Sequence, residues 1–211
     1  MTAANPALVA ELGPRALANR QRILAVAGRE LLRDPAASME DIAVAAGMVR
    51  RTLYGHFPTR EALVDGLRDQ AFDQVGRALD TIDLQRSPAR AIADLTIALW
   101  PVGDEFRLLL RLDETQSCVR TTDRLDSVRS VVVTLIERGR ADGSFNDDLP
   151  PYAAANMLVA MVIALLNARN DGEWVGADAA EVAGRTCLIT IGVERDAALE
   201  IARMAAAESA A

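Results

Sequence analysis

An all-α fold is the architecture this chain predicts, on three observations. Alanine and leucine dominate a composition that is 51% apolar but only 4% aromatic, a balance that favours helix over strand. Apolar residues recur at three- and four-residue steps along most of the 211 residues, the spacing that lines one face of a helix. Glycine and proline fall mainly in short breaks between those stretches, and no segment alternates with the period of a strand. So large an apolar share also supplies a substantial core and excludes disorder of the chain as a whole.

Taken in order, residues 1–18 hold two prolines and a glycine and are expected to form a mobile arm. A first helix fits 19–33, with Ile23, Ala27 and Leu31 in register and Arg20, Arg22, Arg29 and Arg33 facing elsewhere. Asp34-Pro35 breaks it. Ser38 then stands at an N-cap position, and Asp41 adds negative charge to the first turn of a helix over 39–46. That helix turns Met39, Ile42, Ala43 and Ala46 inward. Gly47 is able to take the positive φ of a tight turn. A third short helix, 49–56, presents Leu53 and Phe57 to the core and Arg50, Arg51, Thr52 and Tyr54 outward. Pro58 and Thr59 open a fourth helix over 60–83, with Leu63, Leu67, Ala71, Val75, Leu79 and Ile82 on one side. Further helices are expected over 88–100, 104–117, 121–141, 151–170 and 178–194, and the tail from Ala205 is expected to fray.

Charge is distributed unevenly. The chain carries a net −7 with a pI near 4.8, and every one of its 23 basic residues is arginine. Residues 1–60 hold eight arginines against five carboxylates, whereas the remainder holds fifteen against twenty-five. A head of that kind can approach a polyanion, and the acidic body cannot. Two short helices joined across Gly47, the second bearing basic and hydroxyl side chains, describe a helix-turn-helix. The second helix of such a motif fits the major groove. There the planar fork of Arg50 or Arg51 can donate two hydrogen bonds to one guanine edge. Tyr54 and His56 at its far end suit phosphate oxygens, and the helix starting after Ser38 can offer a backbone N–H to another phosphate.

Residues 38–67 resemble the DNA-binding head of the TetR family of transcriptional regulators. The resemblance is carried by Ile42-Ala43, Ala46-Gly47, Thr52-Leu53-Tyr54, His56-Phe57 and Arg60-Glu61-Ala62-Leu63. Residues 140–166 are more loosely similar to the join that precedes the family's dimerisation helices. Two departures stand out: the link before Ser38 is short and lacks the family's Gly-aromatic pair, and Val49 replaces the usual Ser or Thr cap. The resemblance implies a TetR-like, two-domain organisation, with an N-terminal helix-turn-helix DNA-binding domain over 1–60 and a helical effector-binding and dimerisation domain over 61–211. It implies double-stranded operator DNA as partner, contacted by Ser38, Arg50, Arg51, Thr52, Tyr54, His56 and Arg60. It also implies repression relieved by a small-molecule effector, for which Trp100, Phe106, Leu110, Arg111, Met157 and Met161 are the candidates. A homodimer is expected through the helices over 151–170 and 178–194, with Met157, Leu158, Met161, Val162, Leu165 and Ile189 as members of the contact.

Other classes fit less well. The sole histidine lies in the DNA-reading segment, so no Ser-His-Asp or Cys-His constellation can form elsewhere, and the chain is not expected to be an enzyme. No metal-ligand spacing or nucleotide fingerprint is present, so no metal and no cofactor are expected. Cys118 and Cys187 are far apart and suit reduced residues in a cytoplasmic protein. The first residues hold no basic region leading an apolar run, so no secretory signal is expected. The apolar stretch 153–166 reads as a deeply buried helix, too short for a membrane span. Two alternatives stay open: a helical ligand-binding or protein-interaction module without specific DNA readout, and a sequence-tolerant DNA organiser.

Overall fold

The computed structural model describes residues 13–103, 125–170 and 178–209, together with Trp174 and Gly176. Every regular element among them is helical: α1 Pro14–Arg33, α2 Met39–Ala45, α3 Arg50–His56, α4 Arg60–Asp80, α5 Pro88–Leu99, α6 Asp126–Ala141, α7 Pro151–Asn170, α8 Ala179–Thr190 and α9 Arg195–Ser209. A short 3₁₀ turn, Trp100–Val102, follows α5. These residues divide into two compact units, and the division falls inside α4, between Asp73 and Gln74.

The first unit is built around Ile23, Ala27 and Leu31 of α1, Ile42 of α2, Leu53 of α3 and Leu63 of α4, all with no exposed surface. Phe57, the C-cap of α3, is nearly as buried. Helix α1 begins five residues before the expected position 19, so the arm cannot extend to residue 18; residues 1–12 lie outside the described residues. The cause is Pro14 at the first helical position, where its fixed φ suits the helix and its missing N–H is not needed. Ser38 caps α2 as expected, and the cap is reciprocal. Its hydroxyl accepts from the Asp41 N–H at 3.2 Å, while the Asp41 carboxylate accepts from the Ser38 N–H at 2.9 Å. Gly47, at φ +64°, turns the chain from α2 into α3.

In the second unit α5 packs against α8, α9 and α6, and α6 packs against α7. Arg129 of α6 is buried and donates to Asn156 Oδ1 of α7 at 2.5 Å. Cys187 is also buried, and burial pushes its thiol up to about 12; Cys118 lies outside the described residues.

Two expectations for this unit are corrected. The segment 178–194 is not one helix with a frayed tail after it. Gly192, at φ +97°, ends α8, and α9 follows. The Glu194 carboxylate accepts from the N–H groups of Asp196 and Ala197 at the start of α9. Ala198, Ala202 and Ala205 are buried along one side of α9. Near its end, Glu208 bridges Arg86 at 2.9 Å and Arg90 at 2.7 Å. Helix α7 is the second correction. It is a continuous 20-residue helix, long and apolar enough by length and composition to cross a membrane, and only 22% of its most apolar window is buried. It is neither short nor deeply buried.

Candidate nucleic-acid interface

The residues expected to meet DNA lie on and around α3, and the structure separates them by what already holds them. Arg50 and Arg51 are both exposed. Arg50 is occupied: its guanidinium forms an ion pair with Glu40 of α2 and lies over the Tyr54 ring, 5.6 Å from the centroid. Hydrogen bonding to Tyr54, then the Glu40 charge, raise its pKa above the ordinary guanidinium value. Arg51 has no such partner among the described residues. The side chains of Thr52, Tyr54 and His56 are half-buried on the same short helix. Burial first, and the neighbouring positive charge of Arg20 second, hold the His56 imidazole below its ordinary value.

Val49 is the N-cap of α3 and makes no side-chain cap. Its carbonyl accepts from the Thr52 N–H at 2.9 Å, and its side chain is 70% exposed.

Arg60 has a structural engagement that the sequence did not signal. Its guanidinium donates to the carbonyls of Pro35 and Ala37, clamping the α1–α2 loop. Arg20, placed on a solvated face by helical spacing, lies instead 4.4 Å above the centroid of the Phe57 ring, half-buried. A cation–π contact keeps its charge satisfied there. The tight turn leaves little room beside it, since a Cβ on Gly47 would come within 3.2 Å of Arg22 Nη2.

This head matches, over residues 23–67, the model of bacterial regulatory proteins of the tetR family. The match is confined to the head, which is similar to the DNA-binding domain of that family. A relative, the HTH-type transcriptional repressor KstR2 of Mycolicibacterium smegmatis, is 29% identical over 126 residues, which is 54% of this chain and 60% of the relative. The chain thus spans less than two thirds of that relative's length. Among solved structures, CprB of S. coelicolor A3(2) superposes with a TM-score of 0.72 at 19% identity, covering 92% of this chain and 99% of that one. RolR in complex with resorcinol gives 0.57 at 21% identity, covering 89% and 94%. At those identities the shared property is the fold.

Of the TetR-like body candidates, Phe106, Leu110 and Arg111 lie outside the described residues. Trp100 is buried with Leu166, Ala179 and Ala183, and the Trp174 ring meets it edge-on at 5.9 Å. Met157 and Met161 are half-buried on α7, and the Thr190 hydroxyl approaches Met161 Sδ at 3.8 Å. Leu158 is buried within the protomer, Val162 and Leu165 are partly buried beside Trp100, and Ile189 of α8 is 36% exposed.

Proposed function

We propose that the protein is a cytoplasmic transcriptional repressor that binds a near-palindromic operator as a homodimer and is released by a small-molecule effector. The observation that carries this reading is Arg51: an exposed guanidinium without a partner among the described residues, on the second helix of a capped helix-turn-helix. Bidentate recognition of a guanine edge requires just such an unengaged fork. Arg50, Thr52, Tyr54 and His56 serve the adjoining groove wall and phosphates, the α2 N-terminus at Ser38 another phosphate, and Arg60 orients the head by clamping its loop. Residues 1–60 act as the DNA-binding head and 61–211 as the effector and dimer body.

Two recognition helices related by a two-fold axis address successive major grooves about 34 Å apart, which calls for an inverted repeat. Helices α7 and α8 supply the dimer contact through Met157, Met161, Val162, Leu165 and Ile189. The effector occupies the body near Trp100, and its binding shifts the spacing of the heads through α4. A coupling of about 1–3 kcal/mol lowers operator affinity about 5–150-fold. The RolR structure holds resorcinol, which supports a body of this fold accepting a small organic molecule.

Selection of bound duplexes from a random pool at moderate salt tests the reading. Enrichment of one inverted repeat is expected. Recovery of unrelated sequences with a steep salt dependence would favour a sequence-tolerant binder, and no recovery at all would favour a module that has lost DNA readout.

A further inference from the structure

We propose that Val49 reads a base: its isopropyl group packs against the C5-methyl of one thymine in each half-site. This rests on the operator-binding reading and adds to it the identity of a base pair. Among the described residues of the first unit, Val44 and Val49 are the large apolar side chains left exposed, at 79% and 70%. The other branched and aromatic side chains of α2 and α3 point into the core or are half-buried. Val49 therefore contributes little to packing, and as an N-cap it contributes no hydrogen bond.

Its position supplies the ligand chemistry. Side chains at the leading end of a recognition helix meet base edges in the major groove. Among those edges thymine alone presents an apolar group, while guanine, adenine and cytosine present donors and acceptors that an aliphatic side chain leaves unpaired. A valine there favours T·A and disfavours the rest. Its neighbours divide the remaining work: Glu40 and Tyr54 hold Arg50, and Arg51 is available for a hydrogen-bonding edge at a different base pair. Val44 lies on α2, which in this motif crosses the backbone and does not enter the groove.

The experiment uses the full chain and the inverted repeat recovered by selection, replacing each thymine in turn by uracil. That change removes one methyl and preserves base pairing. One position per half-site is expected to lose about 3–5-fold in affinity, the worth of one buried methyl. In Val49→Ala the uracil penalty at the same position should shrink, because two of the contacting methyl groups are gone, while Val44→Ala retains it in full. Alanine caps no better than valine, so the melting temperature of Val49→Ala should match the parent and report an intact head. A uracil profile identical in the parent and Val49→Ala, or one erased by Val44→Ala instead, overturns the assignment while leaving the operator reading intact. Failure to recover any preferred duplex overturns both.

Discussion

Val49 and His56 show how much a single side chain decides in the small head. A serine or threonine at position 49 could accept the bond that α3 lacks, because the backbone there already has the extended conformation of a cap, with φ −74° and ψ 147°. Val49→Ser should therefore stabilise the head by about 1 kcal/mol, seen as a higher denaturation midpoint, even as it weakens thymine recognition. Stability and readout would move in opposite directions. His56 carries a pH dependence of defined sign. Its folded-state value lies below the ordinary 6.5, so between the two the unfolded chain binds more protons. Stability is complete above about pH 6.5 and declines as pH falls through the folded value. His56→Gln should flatten that decline in melting curves between about pH 7.5 and pH 5.5; an unchanged slope would place its origin elsewhere. Asp41, held low by its hydrogen bonds to Ser38, acts in the same direction at more acid pH. The cap at Ser38 and the acidic first turn at Asp41 were legible in the sequence because both are local signals, whereas their reciprocal pairing emerged from the structure. The engagement of Arg50 and Arg60 was not legible, since Glu40, Pro35 and Ala37 meet them only after α1, α2 and α3 have packed.

Helices α8 and α9 illustrate the next level of organisation. Periodicity indicated helix through this region, but it merged residues beyond Gly192 with α8, and the tail from Ala205, expected to fray, continues α9 to Ser209. Alanine contributes little hydrophobic signal, yet Ala198 and Ala202 have no exposed surface and Ala205 has 2%. Small side chains let α9 approach α5 and α8 closely, and the Glu208 bridges to Arg86 and Arg90 align its far end. Ala202→Leu should overpack that seam and destabilise the protein by about 1–3 kcal/mol. Ala202→Ser should be milder. Thermal denaturation of the two variants checks the argument, and equal midpoints would mean that the seam tolerates volume. In the same way the early start of α1 follows from Pro14, which reads as a breaker by residue type alone and acts as a first-turn residue in place.

At the level of the assembled protein, α7 is an apolar helix that its own protomer covers only in part. A helix apolar around its circumference is stable in water only when most of its surface is covered, and few residues of α7 are fully buried, most of the others being half-buried. A second copy of this chain is the proposed cover. Ile189→Arg on α8 should weaken self-association by at least about tenfold, read by sedimentation, and should weaken operator binding with it. Leu158→Ala should act differently: that side chain is 3% exposed in the protomer, so the loss should fall on folding, by about 2–5 kcal/mol. A dimer unaffected by Ile189→Arg would remove α8 from the interface.

The all-α class, the turn at Gly47, the cap at Ser38 and the set of side chains on α3 were readable before any coordinates, because each depends on neighbours within a few positions along the chain. Packing alone assigned the partners of Arg50, Arg60 and Arg20, the exposure of Val49 and the incomplete cover of α7. Those depend on which surfaces meet after distant segments are brought together, and local periodicity carries no information about that.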